Sequence, residues 1–258
     1  MNLSPVLSID KISLSFGGLA ALNEVSLTLA QGELAGLIGP NGAGKTTIFN
    51  ILSGVYQPDQ GRVDAFGQSL LGLKPHQISN RGVTRTFQNI RLFKALSVID
   101  NIKVAFHHEN HYGFLSALFQ SKRCLDAELR FDERAKTLMS LLELEARALD
   151  QAGSLPYGEQ KKLEIARAVA SGARILLLDE PAAGMNPGES AWLMEAIKRI
   201  QHEFKLSILL IEHDMRVVMG ISDRIHVLDH GVKIAEGTPK EIRNNEKVVE
   251  AYLGSKRK

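Results

Sequence analysis

A chain of 258 residues, 44% of them apolar and 23% charged, is long enough to bury a sizeable core in one large α/β domain or in a core with a subdomain. Its formal net charge of +2 gives no electrostatic reason to expect nucleic-acid binding, and its single cysteine, Cys124, excludes an intrachain disulfide or a cysteine-rich metal site. No apolar stretch approaches the roughly 18 residues that a membrane-spanning helix needs, and residues 1–10 lack the basic-then-apolar order of a secretion signal, so the expected residence is cytoplasmic.

Leu7, Ile9, Leu14 and Phe16, then Val25, Leu27 and Leu29, alternate with polar residues around Gly17-Gly18. That spacing predicts two half-buried antiparallel strands. Leu34 to Ile38 is an almost continuous apolar run, as expected of a strand buried on both faces. It leads into Gly39-Pro40-Asn41-Gly42-Ala43-Gly44-Lys45-Thr46-Thr47, which fits G-x-x-x-x-G-K-[ST] between a strand and the helix expected over Thr46 to Leu52. Glycines let the backbone curl until successive N–H groups converge on an anion. Lys45 is placed to reach β- and γ-phosphates, the Thr46 hydroxyl to ligate Mg²⁺, and the helix N-terminus to add partial positive charge. ATP or GTP binding follows.

Gly61 to Phe66 reads as another short strand, and Leu92 to about Ala152 as a mostly helical lobe with a stripe through Phe131, Ala135, Leu138 and Leu142. In that lobe, Phe114, Leu115, Leu118 and Phe119 form an apolar cluster expected to be buried. His107, His108, Glu109 and His111 lack the spacing of a recognised metal site. Ile175 to Leu178 is a buried strand that delivers Asp179 and Glu180 to its C-terminal end, where parallel sheets gather ligands. Side chains leave a strand on alternating sides, so Asp179 is assigned to Mg²⁺ through water and Glu180 to the attacking water as general base. Asn186-Pro187-Gly188-Glu189 opens a helix with a capping box. Leu206 to Ile211 is the next buried strand, Arg224 to Leu228 and Val232 to Ala235 form a hairpin about Asp229-His230-Gly231, and Thr238-Pro239-Lys240-Glu241 starts a helical tail. Lys256-Arg257-Lys258 reads as a solvated end.

Between the two nucleotide elements lies Leu155-Pro156-Tyr157-Gly158-Glu159-Gln160, followed by a helical run to Ala168. With it the chain resembles the ATP-binding-cassette ATPases. Gln88 in Thr86-Phe87-Gln88-Asn89 resembles that family's glutamine switch, His213 in Glu212-His213-Asp214 its γ-phosphate-sensing histidine, and Phe16 its adenine-stacking aromatic. The elements stand in family order over nearly the whole chain. Ser15-Phe16-Gly17-Gly18-Leu19, Glu180-Pro181-Ala182-Ala183-Gly184-Met185-Asn186, Glu212-His213-Asp214-Met215 and the tail from Glu236-Gly237-Thr238-Pro239 to Ala251-Tyr252-Leu253-Gly254 resemble the ATPase subunit of branched-chain amino acid importers.

The resemblance implies an α/β fold: a P-loop NTPase (RecA-like) core with an antiparallel β subdomain and a helical subdomain. It implies one cassette over residues 5–240, with its nucleotide-binding core at 5–90 and 165–240, its helical subdomain at about 91–164, and a helical tail at 241–258. Catalysis falls to Glu180, His213, Gln88 and Lys45. ATP is held by Phe16, Gly39 to Thr47, Gln88 and Asp179, and Mg²⁺ by Thr46, Gln88 and Asp179. The implied partners are a second, related ATPase, transmembrane permeases on the inner face of the cell membrane and, indirectly, a solute-binding protein. A homodimer is the alternative to a heterodimer. An importer of urea, amides or other small solutes, and a cassette ATPase without a transporter, are the alternative functions. A P-loop kinase or GTPase would need an acceptor pocket or an Asn-Lys-x-Asp motif, which the sequence lacks.

The family signature usually reads Leu-Ser-Gly-Gly-Gln, whereas here it reads Leu155-Pro156-Tyr157-Gly158-Glu159. In the family this segment opens a helix toward the γ-phosphate held by the opposite subunit. Pro156 supplies neither the serine hydroxyl nor an N–H, although the helix start and Gly158 remain. By analogy with an oxyanion-hole donor, the loss is worth up to about 3 to 4 kcal/mol of transition-state stabilisation. Together with Asn186, where many relatives have aspartate, this predicts a heterodimer with unequal sites.

Overall fold

The computed structural model describes residues 5–86, 91–106 and 122–253. Gln88, the His107 to His111 group, the Phe114 to Phe119 cluster, the Cys124 side chain, Gly254 and Lys256-Arg257-Lys258 lie outside the described residues. The chain divides into two compact units, Met1–Arg85 with Arg174–Lys258, and Thr86–Ala173.

The first unit begins with β1 (Pro5–Phe16), β2 (Leu19–Ala30), β3 (Leu34–Ile38), α1 (Lys45–Leu52), β4 (Gln60–Ala65), β5 (Gln68–Ser69), α2 (Pro75–Asn80) and β6 (Val83–Arg85). The second contains α3 (Val98–Ala105), α4 (Lys122–Leu141) and α5 (Tyr157–Ala170), with short 3-10 turns between the last two. The first then resumes with β7 (Ile175–Asp179), α6 (Pro187–Phe204), β8 (Ser207–Ile211), α7 (Met215–Ile221), β9 (Arg224–Asp229), β10 (Val232–Gly237), α8 (Pro239–Arg243) and α9 (Glu246–Leu253).

Two sheets result. The first has the order β2-β1-β4-β5 and is antiparallel throughout, with the β1–β2 hairpin turning at Gly17-Gly18 as its alternation predicts. The second has the order β10-β9-β3-β8-β7-β6; it is parallel except for the β9–β10 hairpin. β3 lies inside this sheet and all five of its residues are buried. Period-two alternation explains the run Leu-Ala-Gly-Leu-Ile. Ala35 and Leu37 face the core that α1 shares with the antiparallel sheet, through Ile48, Phe49, Leu7 and Val25. Ile38 belongs instead to a second core with Val218 of α7, Ile242 of α8 and Val248 of α9. Gly36 stands mid-strand because α7 comes close: a Cβ there would lie 2.8 Å from Val218 Cγ1.

Caps fix the helix starts. Asn186 Oδ1 accepts from Glu189 N–H at 3.0 Å and Glu189 returns the bond to Asn186 N–H at 2.9 Å, and Thr238 and Glu241 form the same box on α8. In the second unit, Phe131, Ala135, Leu138 and Leu142 are all buried, as their stripe predicts, and the Phe131 ring stacks on Phe106 with centroids 5.2 Å apart.

A polar network ties the two sheets of the first unit. Arg224 forks onto both oxygens of Glu33, at 2.7 and 2.8 Å, and reaches Glu236 at 2.7 Å. The fully buried His226 lies 3.2 Å from Thr28 O through Nε2 and 3.4 Å from Glu236 through Nδ1. His226, then Lys233, hold the Glu236 carboxyl far below the usual carboxylate range against partial burial. A carboxylate whose folded pKa is depressed stabilises the fold above its ordinary pKa of 4.5 and loses that contribution as pH falls through the folded value. Glu236→Gln is therefore expected to lower the melting temperature at neutral pH, with the gap to wild type starting to narrow as pH falls below 4.5. Paired thermal melts from pH 3 to 8 check it; a gap that stays constant would remove Glu236 as its source.

Candidate nucleotide site

Where β3 ends at Ile38 the chain enters Gly39, with φ of 152°. A Cβ at Gly39 would stand 2.1 Å from the carbonyl oxygen of Leu228, so only glycine lets the loop leave the sheet beside β9. Gly44 closes the loop at φ of 102°, backed by Leu22 and the carbonyl of Ala21; a Cβ there would lie 2.7 Å from Leu22 Cδ2. The loop wraps the Lys45 side chain, which is buried and donates to the carbonyls of Gly39 at 2.7 Å and Pro40 at 2.9 Å. Burial pulls the pKa of Lys45 down, and the charge of Glu180 pushes it back up. Because the N-cap of α1 is Gly44, no side chain caps the helix, and its first turn carries no acid. N-terminal N–H groups without a capping side chain, an enclosed ammonium and no nearby acid in the turn fit a phosphate group. Asn41, Gly42 and Thr46 are exposed, while Ala43 is buried.

β7 delivers the two acids. Asp179, its last residue, is buried and pairs with Arg85 at 2.6 Å; Arg85 also donates to Asn50 Oδ1 at 2.7 Å and Ser53 Oγ at 3.2 Å, which ties Asp179 to the helix after the loop. Glu180 has φ of 49°, a left-handed conformation that is sparsely populated for non-glycine residues. Its N–H donates to Ile211 O at 2.9 Å, and its Oε1 lies 2.6 Å from Nε2 of His213 at the end of β8. With Nε2 protonated, the imidazole donates to the carboxylate.

The first unit thus carries Lys45, Asp179, Glu180 and His213 from three points of the sequence. Glu180 meets His213 directly and acts on Lys45 through its charge. Phe16 ends β1 half-exposed and packs edge-on against Tyr56, with centroids 5.2 Å apart. The second unit carries Pro156-Tyr157-Gly158-Glu159. Pro156 is the N-cap of α5 with φ of −53° and no side-chain cap; Tyr157 is exposed, and Gln160 donates back to Leu155 O at 2.8 Å. Among the described residues no group of three or more His, Cys, Asp or Glu is arranged to hold a metal ion, and no helix is long and apolar enough to cross a membrane.

Sequence reasoning missed two residues. Arg85 follows Val83-Thr84 without any spacing signal, and its partner lies 94 positions away. Glu212 is read in the sequence only as a neighbour of His213, yet its side chain is buried at the ends of β7 and β8.

Comparison with known proteins gives the family. Residues 22–183 match the ABC transporter family, and residues 232–257 match a family described as the branched-chain amino acid ATP-binding cassette transporter. The chain is 47% identical over 250 residues to the high-affinity branched-chain amino acid transport ATP-binding protein LivG of Escherichia coli K12, covering 97% of this chain and 98% of that one. It is 44% identical, at the same coverage, to BraF of Pseudomonas aeruginosa, which carries the same description. Among solved structures, an ATP-binding cassette of an ABC transporter in its ADP conformation superposes with a TM-score of 0.83 at 29% identity, covering 98% of this chain and all of that one. The chain therefore belongs to the ABC transporter family, with the α/β fold of its P-loop ATPase cassettes.

Proposed function

We propose that this chain is the ATP-hydrolysing subunit of an importer that takes up amino acids, with leucine, isoleucine and valine as cargo. The observation that carries the proposal is the near full-length identity to LivG, joined by the separate family match in the tail. The cassette spans residues 5–240, with the tail beyond it.

In this reading the loop N–H groups and Lys45 hold the triphosphate, and Phe16 stacks on the adenine. Thr46, Asp179 and Gln88 would hold Mg²⁺, which would neutralise phosphate charge when bound. Glu180 takes the proton of the attacking water. His213 orients that carboxylate through the 2.6 Å contact and faces the γ-phosphate. A second, related ATPase shares each γ-phosphate, so ATP closes the pair and ADP does not. The two sites are unequal: this chain's Glu180 faces an intact partner signature, while its own Pro156 segment faces the partner's loop. The pair sits on the inner face of the membrane beneath permease subunits and serves a solute-binding protein outside.

Deleting the gene should abolish uptake of radiolabelled leucine, and the wild-type chain should restore it while Lys45→Ala does not. Unchanged leucine uptake with loss of uptake of another solute, such as urea or an amide, would reassign the cargo; restoration by Lys45→Ala would remove ATP hydrolysis from the reading.

A further inference from the structure

We propose that Glu212 is a positioning residue, a clasp that holds the turn carrying Glu180 against the turn carrying His213. The inference rests on the roles proposed above for Glu180 and His213.

The parallel β7–β8 ladder runs in register from Ile175–Ser207 to Asp179–Ile211, and its last rung is the bond from Glu180 N–H to Ile211 O. Past that rung the two chains part. One turns through the left-handed Glu180 into Pro181 and Ala182; the other continues to Glu212 and His213. At this point the Glu212 side chain takes over from the ladder. Its Oε1 accepts from Ala182 N–H at 2.6 Å, across the gap, and its Oε2 accepts from the N–H of its own neighbour His213 at 3.1 Å. The residue is only 4% exposed. Burial raises the pKa of its carboxyl above the ordinary value; the N–H groups of Ala182, His213 and Asp214 pull it partway back, and the charge of Glu180 pushes it up further.

A carboxylate removed from water is expensive, and the N–H groups it accepts from offset that cost. An apolar residue would end β8 without burying a charge, so the position is costly as plain packing. One carboxylate with one oxygen on each turn fixes their separation. Glu180 holds a strained backbone angle two residues before Ala182, and His213 meets Glu180 at 2.6 Å; both depend on that separation. Displacements of about 1 Å in such a pair cost up to roughly a hundredfold in rate.

The test uses the purified transporter complex, with ATPase rates, Mg-ATP affinity and thermal melting measured together. Glu212→Leu is expected to lower kcat about 10- to 100-fold while Mg-ATP affinity stays within about threefold. Glu212→Gln keeps one accepting oxygen but turns an NH2 toward the other N–H, so it should recover only part of the rate lost in the Leu variant. In a His213→Ala background, Glu212→Leu should cost far less than it does alone, because both act through one contact. Should the Leu variant fail to fold, Glu212→Asp, whose carboxylate falls one methylene short of Ala182, is read by the same criteria. A kcat within twofold of wild type for the variant that folds, a Gln variant as slow as the Leu variant, or fully multiplicative losses with His213→Ala would each overturn the clasp. If His213→Ala itself leaves kcat unchanged, the underlying assignment of the site fails instead.

Discussion

Glu180→Gln is expected to cut kcat for ATP hydrolysis by about a hundredfold or more, the usual range for losing a general base, while leaving Mg-ATP binding nearly intact. Glutamine matches glutamate in size, and its side-chain oxygen still accepts from His213 Nε2, now 2.6 Å away, so the turn and its left-handed backbone remain supported. What is lost is the ability to take a proton. The variant should therefore bind ATP, close on its partner ATPase and stop. Phosphate release and ATP-dependent association, measured on the same preparation, separate these steps. A rate within threefold of wild type would remove Glu180 from the base role.

The same substitution probes the unequal pair proposed above. α5 starts at Pro156 without a side-chain cap, and no serine hydroxyl is present to reach across to the partner's nucleotide. The site built on this chain's Lys45 and Glu180 should turn over faster than the site built on the partner's. Glu180→Gln should then cripple uptake more than the equivalent change in the partner. Equal or reversed losses would mean that neighbouring N–H groups replace the missing donor and both sites work.

Arg85→Leu is expected to destabilise the fold by about 3 to 5 kcal/mol, the cost of breaking a buried ion pair by removing one partner. Arg85 and Asp179 side chains are only 7% and 5% exposed and meet at 2.6 Å, so the substitution takes a buried cation away from a buried carboxylate. The lost bond to Asn50 also loosens the link between β7 and α1. In a chain of this size a kcal/mol corresponds to roughly 2 to 4 °C in Tm, so the melt should fall by about 10 °C. Arg85→Lys should recover only part of this, because an ammonium lacks the planar fork that addresses Asp179 and Asn50 together. A fall below 2 °C for Arg85→Leu would show that Asp179 is relieved by other groups.

Much of the site is legible in the sequence because its determinants are local. A continuous apolar run followed by glycines and Gly44-Lys45-Thr46 specifies a buried strand, a tight loop and a helix start within about fifteen residues. Ile175 to Glu180 needs only strand periodicity and the rule that parallel sheets collect ligands at their C-terminal ends. The caps at Asn186 and Thr238 are equally local. Short elements are harder: β5 has two residues, β6 has three, and α2 is six residues opened by a proline, too short for any period to emerge.

Taken alone, then, the sequence determines the phosphate loop, the paired acids, the capped helices and the two kinds of strand pattern, since each is a property of a few consecutive side chains. Only the tertiary structure decides that β3 lies between β8 and β9, that Arg85 takes Asp179, and that Glu212 reaches Ala182. Those pairings join residues 94 and 30 positions apart. Nothing periodic marks them, because a buried charge finds its partner only after the strands that carry both have packed, and the desolvation that makes the pairing necessary does not exist in the unfolded chain.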